Sequence, residues 1–244
     1  MKINLLQLNT EKTPEQTIQK VCKLTNSFSD EIFILPELFT TGFDYEHIKK
    51  HVYNQHDLLM GLPSGNIYVG SVTRPENGKV YNSFFVKKGG TIEFLYDKIH
   101  LFPLMDEDKQ FAHGSNLSTF DLRGFKCGCA ICFDLRFPEL FRRYFHQDVD
   151  LIIIPMQWPL SRISQMLPIA TARAIENQCY VAVCNAVGTI WGVEFGGHSL
   201  IVSPYGEILT KGLEKQDIIL SAEIIKDEIV SFKKSIPIKD CIRL

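Results

Sequence analysis

The chain has 244 residues, of which 45% are hydrophobic and 22% are charged, and its formal net charge at pH 7 is -2. This length and composition predict one large domain, residues 1–244, with a sizeable core. The near-zero charge excludes a strongly basic surface for nucleic acid or anionic lipid, and no apolar run approaches the length of a membrane span. Since the first ten residues also lack the pattern of a signal peptide, we expect a cytoplasmic protein without nucleic-acid or membrane partners.

The first half of the chain predicts short apolar strands around one helix. The helix carries Thr13 as its cap and Pro14 in the first turn, where proline's missing N–H is tolerated. The last two strands of this half form a hairpin at Gly89-Gly90. In chain order the predicted elements are a strand at 3–9, the helix at 13–28, and strands at 31–37, 66–74, 80–90 and 91–98.

The second half predicts the same kind of arrangement. Two strands flank Arg123-Gly124, one helix opens at Pro138, and another carries Pro168 in its first turn. The later elements are a helix at 138–147, a strand at 149–157, a helix at 167–179, strands at 180–188, 196–204, 206–212 and 217–224, and a short helix followed by an extended tail. No Pro/Gly/Ser-rich linker divides the halves, so the pattern predicts a layered α/β sandwich with internal pseudo-symmetry.

Three cysteines stand close together in the segment CGCAICFDLRFPEL, at Cys127, Cys129 and Cys132. Structural zinc requires four ligands, and the chain has no second close pair of cysteines or histidines. A redox C-x-x-C motif normally opens a helix, whereas Cys129 lies in a strand-like run. A second interpretation is that the three thiols are buried and unreactive. Cys132 falls where the strand ends, which is where active groups collect in open α/β folds, so a nucleophilic thiol is the third interpretation.

A thiol nucleophile requires a base and a group that stabilises charge, and two other strand ends supply candidates. Glu37 follows the buried run EIFILP, and Lys98 follows the strand TIEFLYD. Taken alone, Glu37 also fits a solvated loop residue, and Lys98 also fits a lysine that extends its amine to solvent or forms a surface ion pair. Together a carboxylate, an ammonium and a thiol at three strand ends suit acyl transfer.

The segments LPELFTTGF, YDKIHLF and ICFDLRFPE resemble the Glu–Lys–Cys triad motifs of the nitrilase superfamily of carbon–nitrogen hydrolases, and the resemblance runs over almost the whole chain. The segments LFPLMDEDKQF and SIPIKDCIR are most similar to the bacterial ω-amidase branch. The resemblance implies a four-layer αββα sandwich that forms a homodimer with αββααββα layers. It also implies that the helix after the nucleophile and the C-terminal tail make the dimer contact.

The resemblance assigns a role to each catalytic position. Glu37 is implied as the general base and Cys132 as the nucleophile, while Lys98 and the backbone N–H of Phe133 stabilise the oxyanion. Glu107 matches the family's second glutamate, which supports the lysine and positions substrate, although Asp106 and Asp108 stand beside it in the sequence. No metal or organic cofactor is implied.

The implied substrate wall includes Phe39, Phe133, Gln157 and Trp158, with ordinary core packing as the alternative for the aromatic residues. Two departures from the family concern this pocket. The segment 43–66 is short where relatives carry a longer loop and helix, and Gln165-Met166 replaces a frequent His-Trp.

Two arginines could receive a substrate carboxylate, Arg136 and Arg173. Since Glu139 and Glu176 lie near them in sequence, we expect each arginine to pair with an acidic neighbour instead. The implied substrate is a small ω-amide of an α-keto acid, such as 2-oxoglutaramate or 2-oxosuccinamate. Alternatives are another small amide or an N-carbamoyl compound, and a catalytically silent binding protein.

Overall fold

Two six-stranded mixed sheets pack face to face with helices on their outer faces. The computed structural model describes residues 1–243. The strands are β1 Lys2–Gln7, β2 Ile32–Ile34, β3 Ile67–Glu76, β4 Lys79–Lys88, β5 Thr91–Asp97, β6 Thr119–Leu122, β7 Phe125–Cys129, β8 Leu151–Met156, β9 Tyr180–Asn185, β10 Val187–Ile190, β11 Val193–Gly196, β12 Leu200–Val202, β13 Ile208–Lys211 and β14 Ile218–Glu223.

The helices connect and cover these strands. They are α1 Pro14–Thr25, α2 Tyr45–His51, α3 Gln55–Met60, α4 Glu107–Gln110, α5 Pro138–His146, α6 Ile163–Asn177, α7 Lys226–Ser235 and α8 Ile238–Cys241. Short 3-10 helices lie at Pro103–Met105, Cys132–Arg136 and Leu160–Arg162. No helix within residues 1–243 is both long and apolar enough to cross a membrane.

Each large sheet has three parallel strands at its centre and antiparallel strands outside them. The first sheet has the order β14-β1-β2-β3-β4-β5, and the second has the order β13-β12-β9-β8-β7-β6. Strands β1 to β3 run parallel to one another, as do β7 to β9. The last strand pairs with the first along its whole length, from Lys2 opposite Glu223 to Gln7 opposite Ile218. The two ends of the chain therefore meet in the first sheet.

The alternation of side chains along the first sheet explains the layers. Ile32, Ile34 and Val69 point into the core between the sheets, whereas Phe33 and Tyr68 pack on the other face with helix α1. Helices α5 and α6 cover the second sheet in the same way. Burial of both faces explains why the central strands are almost continuously apolar.

Most predicted elements are confirmed, and the differences have local causes. Helix α6 begins at Ile163, so Pro168 lies inside it and not in its first turn. The 3-10 helix Leu160–Arg162 leads directly into α6, and the helix is already formed when it reaches the proline. The strand expected at 31–37 is limited to β2, because Pro36 has no N–H to continue the pairing. The tail expected to be extended contains α8, and the short segment 43–66 folds into α2 and α3.

Candidate active site

The ends of strands from both sheets gather three reactive side chains in one buried cluster. Glu37 and Lys98 follow β2 and β5 of the first sheet, and Cys132 follows β7 of the second. The Lys98 Nζ lies 2.7 Å from the Glu37 Oε1, and both side chains are fully buried. Cys132 is 7% exposed. The structure thus brings the predicted base, ammonium and thiol together across the interface between the sheets.

Cys132 stands at a sharp turn between a strand and a helix. Its φ of +45° lies in the left-handed region, and it is the first residue of the 3-10 helix Cys132–Arg136. Such a backbone costs a non-glycine residue of the order of 1–3 kcal/mol, and residues of this kind concentrate at functional sites. Burial, reinforced by the charge of Glu37 and opposed by Lys98, raises the pKa of the Cys132 thiol well above its ordinary value. The thiol is therefore protonated at rest and requires a base to become a nucleophile.

Glu37 is held at both carboxylate oxygens. Its Oε1 accepts hydrogen bonds from the Lys98 Nζ at 2.7 Å and the Asn82 Nδ2 at 2.8 Å. Its Oε2 accepts one from the Gln157 backbone N–H at 3.0 Å, and the Gln157 Nε2 donates to the Glu37 carbonyl at 2.8 Å. These donors, which come from both sheets, hold the carboxylate in one orientation.

Glu107 completes the cluster from helix α4. Its two oxygens lie 2.9 and 2.7 Å from the Lys98 Nζ, and its Oε2 also accepts the Phe102 backbone N–H at 2.7 Å. Burial raises the pKa of Glu107, and Lys98 opposes that rise. Burial lowers the pKa of Lys98, but the charges of Glu107 and Glu37 outweigh it and the net change is upward. Asp106 and Asp108 are exposed, so among these three acids it is Glu107 that reaches the lysine.

A small cavity opens onto the thiol; its empty space, with the open solvent at its mouth included, is about 320 Å³. Four aromatic rings contribute to its wall, and Lys98 and two arginines are its cations. The lining residues are Phe43, Lys98, Phe102, Met105, Cys132, Phe133, Arg136, Gln157, Trp158, Pro159 and Arg162.

Three of the four residues predicted to form the substrate wall line the cavity, and one does not. Phe133, Gln157 and Trp158 line it, but Phe39 does not. Phe39 is fully buried on the outer face of the first sheet, where its ring lies 6.1 Å from that of Phe85. Its placement matches the alternative interpretation of core packing.

Arg136 faces the cavity and does not pair with Glu139, so the expectation of a neighbouring acid was wrong for this residue. Its Nη2 donates to the Gln165 Oε1 at 2.7 Å, and its guanidinium lies 4.6 Å from the Trp158 ring. Arg162 lies across the cavity mouth, over the Phe102 ring at 5.6 Å. Burial and the nearby charge of Arg162 lower the pKa of Arg136. Among residues 1–243 neither arginine forms an ion pair, so the mouth carries two unneutralised cations.

Arg173 behaves as expected and pairs with Glu176 at 2.8 Å. Cys127 and Cys129 are buried residues of β7 in the core between the sheets, and all seven cysteines are free thiols. Within the described chain, no group of three or more His, Cys, Asp or Glu side chains is arranged to hold a metal ion.

Two further residues shape the site and were not among the sequence candidates. One is Asn82, which donates to both Glu37 and Glu107. The other is Asp134, which accepts hydrogen bonds from the Tyr96 hydroxyl at 2.7 Å and the His100 backbone N–H at 3.0 Å. Asp134 thereby ties the turn after Cys132 to strand β5 and the segment after Lys98. Asp134 is an acidic residue in apolar surroundings, a signal that could have identified it. Asn82 gives no such signal, because polar residues in strands more often face solvent.

The chain is similar to known proteins over nearly its whole length. The sequence model of the family described as carbon-nitrogen hydrolase matches residues 2–234. The chain is 37% identical to the 2-oxoglutaramate amidase of Bacillus subtilis (strain 168), over 87% of this chain and 85% of that protein. It is 33% identical to the omega-amidase YafV of Escherichia coli (strain K12), over 85% of this chain and 82% of the relative. Among solved structures, XC1258 from Xanthomonas campestris, a CN-hydrolase superfamily protein, superposes with a TM-score of 0.89 at 27% identity, covering 100% of this chain and 97% of that one.

Proposed function

Because the chain belongs to the carbon–nitrogen hydrolase family of the nitrilase superfamily, we propose that it hydrolyses the terminal amide of small α-keto acid ω-amides, such as 2-oxoglutaramate and 2-oxosuccinamate. The observation that carries this proposal is the cluster of Glu37, Lys98 and Cys132 at the base of a cavity whose mouth carries Arg136 and Arg162. The buried cluster fits amide hydrolysis. The two cations fit the carboxylate at the far end of such a substrate.

The reaction begins with proton transfer from Cys132 to Glu37. The thiolate attacks the amide carbonyl carbon, and the oxyanion that forms accepts hydrogen bonds from the Lys98 Nζ and the Phe133 backbone N–H. Donors of this kind contribute about 3 kcal/mol each to stabilising the transition state. The Lys98 Nζ has three hydrogens. One bonds to Glu37, one is shared between the two Glu107 oxygens, and the third is left for the oxyanion.

The protonated Glu37 then donates its proton to the amide nitrogen, and ammonia leaves as the thioester forms. Glu37 next takes a proton from water, and the resulting hydroxide attacks the thioester carbonyl. Collapse of this second intermediate releases the carboxylic acid and returns the proton to Cys132. The net reaction is amide plus water to acid plus ammonia.

Ammonia release from 2-oxoglutaramate and 2-oxosuccinamate tests the proposal. We expect wild type and Cys241→Ala, whose thiol is exposed in the C-terminal tail, to release ammonia at equal rates. Cys132→Ala should lower kcat by at least about 10⁴-fold, as loss of a nucleophile does in other hydrolases. Equal activity in Cys132→Ala would reject this nucleophile. No release by wild type would reject these substrates and favour an N-carbamoyl compound or a silent binding protein.

The role of the arginines can be measured separately. A charged hydrogen bond contributes about 1.5–3 kcal/mol, so Arg162→Gln should raise KM for 2-oxoglutaramate by about 10- to 100-fold. Hydrolysis of propionamide, which is uncharged, should change by less than about threefold, because it offers no carboxylate to either arginine. An equal loss on both substrates would show that Arg162 acts through packing and not through charge.

We also propose that the protein acts in the cytoplasm as a homodimer. Apolar side chains are exposed on and near α6 and α7, including Ile175, Tyr205 and Ile236 at 42%, 48% and 49% exposure. An uncovered patch of this kind suits a contact between two copies. Free thiols at every cysteine fit a reducing compartment. Sedimentation velocity should give a dimer for wild type and a shift toward monomer for Ile236→Asp.

A further inference from the structure

Asn82 lies fully buried on β4 and contacts both carboxylates of the site. Its Nδ2 is 2.8 Å from the Glu37 Oε1 and 3.1 Å from the Glu107 Oε1. The opposite amide orientation would place the Asn82 Oδ1 against two carboxylate oxygens, so the environment fixes the amino group toward them. Both hydrogens of that amino group are then used, one for each carboxylate.

The two oxygens of Glu37 consequently differ in their capacity to hold a proton. The Oε1 already accepts from the Lys98 Nζ and from Asn82, which occupies both of its lone pairs. Among residues 1–243, the Oε2 accepts only the Gln157 backbone N–H, which also faces the Cys132 thiol. One lone pair of the Oε2 therefore stays available, on the side where the thiol lies.

We propose that Asn82 is a positioning residue that keeps the transferable proton on the Oε2 of Glu37 and stabilises the ionised carboxylate before each turnover. This inference rests on the proposed roles of Glu37 as base and Cys132 as nucleophile. Lys98 alone leaves the Oε1 with one free lone pair, from which a proton would have no direct path to the thiol or to the leaving nitrogen. The amino group of Asn82 closes that alternative.

The charged and titratable groups that face Glu37 come from several elements. Lys98 follows β5, Glu107 opens α4, Cys132 follows β7, and Tyr45 approaches from α2. The net upward shift of the Lys98 pKa keeps the ammonium charged, and burial followed by the charge of Glu107 raises the pKa of Tyr45 and keeps the phenol neutral. The groups of the cluster between which a proton can move are thus the two carboxylates and the thiol. Asn82 donates to both carboxylates, so its removal takes one hydrogen-bond donor from each of them.

The test is the pH dependence of alkylation of Cys132 by iodoacetamide, followed by mass spectrometry, which requires no knowledge of the amide substrate. Asn82→Ala removes one hydrogen-bond donor from each ionised carboxylate. The pH at which the alkylation rate falls to half on the acidic side should therefore move up by about one unit. Asn82→Asp preserves the size of the side chain and should move the midpoint at least as far, because it adds a third carboxyl group. With an amide that the enzyme accepts, kcat should fall by about 10- to 100-fold while KM stays within about threefold.

Asn66→Ala is the matched control. Asn66 is also buried, but its side chain bonds to the backbone of Glu31 and Phe28, away from the cluster. This variant should lose stability and keep the wild-type alkylation profile. If Asn82→Ala does not fold, Asn82→Asp carries the test alone.

A wild-type midpoint, or a midpoint moved to lower pH, in the Asn82 variant that folds would overturn the proposal, even if activity fell. A midpoint that moves up without any release of ammonia from ω-amides would support the role of Asn82 while rejecting the proposed substrate. The alkylation profile and the ammonia assay therefore separate the failure of one proposal from the failure of the other.

Discussion

The substitution Glu107→Gln probes the buried charge cluster with little change in side-chain size. Four hydrogen-bond contacts converge on the two oxygens of Glu107. The Oε1 accepts from the Asn82 Nδ2 at 3.1 Å and the Lys98 Nζ at 2.9 Å, and the Oε2 accepts from the Lys98 Nζ and the Phe102 N–H, both at 2.7 Å. Glutamine has one acceptor oxygen, so in either orientation its Nε2 meets two donors and cannot bond to them.

The expected loss follows from these contacts. Two charge-assisted hydrogen bonds disappear, and Lys98 keeps Glu37 as its one carboxylate partner among the described residues at a site with no exposure to solvent. Breaking a buried ion pair by removing one partner costs about 3–5 kcal/mol. We expect Glu107→Gln to lower the free energy of unfolding by about 4 kcal/mol. Hydrolysis should fall by about 100-fold or more, because a displaced Lys98 no longer reaches the oxyanion.

Urea unfolding near neutral pH and kcat/KM for amide hydrolysis measure the two effects. Asp106→Asn serves as the control, because Asp106 is exposed, pairs with Lys109 at 2.6 Å, and has a φ of +54° that asparagine tolerates. The control should stay within about 1 kcal/mol of wild type. The reasoning is refuted if Glu107→Gln is as stable and as active as this control.

Three further substitutions test the fold. The Thr13 hydroxyl accepts the Gln16 backbone N–H at 3.2 Å, so Thr13→Ala should cost about 1 kcal/mol in urea unfolding, and no loss would show that the cap is unimportant. A Cβ on Gly188, whose φ is +98°, would lie 2.0 Å from the Asn9 Oδ1, so Gly188→Ala should lower Tm and destabilise the protein by about 2 kcal/mol. Burial raises the pKa of the Cys179 thiol to about 12, against about 8.5 in an unfolded chain, so the native state holds this proton more tightly. Between those two pH values the free energy of unfolding therefore falls by about 1.4 kcal/mol per pH unit. Cys179→Ala should therefore lose less stability than wild type between about pH 8.5 and 10.5, and an identical loss would contradict this assignment.

Residues at the ends of strands could be predicted from sequence. Glu37 and Cys132 follow the buried strands β2 and β7, and Lys98 follows the edge strand β5. The carboxyl ends of strands are where reactive groups collect in folds of this class. The family resemblance then connected three separate positions that composition alone could not relate. Glu107 could be separated from Asp106 and Asp108 only by geometry, since three adjacent acids have the same chemistry.

Other features depended on packing that the sequence does not display. Phe39 is aromatic and near the site in sequence, but the face of a sheet on which a side chain lies decides whether it meets substrate or core. Asn82 is a polar residue in a strand, and such residues more often face solvent than a buried cluster. Helix α6 begins one turn earlier than the local pattern indicates, which places Pro168 in its interior, where proline cannot donate a backbone hydrogen bond. Arg136 has an acid nearby in sequence, yet its guanidinium lies over Trp158 and bonds to Gln165.

Because the reacting groups follow strands of two different sheets, the spacing between the sheets sets the distance between base and thiol. Glu37 and Lys98 belong to one sheet, whereas Cys132 and Gln157 belong to the other. Packed sheets lie about 10 Å apart, and the side chains between them set that spacing. The gap between base and thiol therefore reports the thickness of the hydrophobic layer, and a change of a few tenths of an ångström there would mistune proton transfer in a protein that is still fully folded.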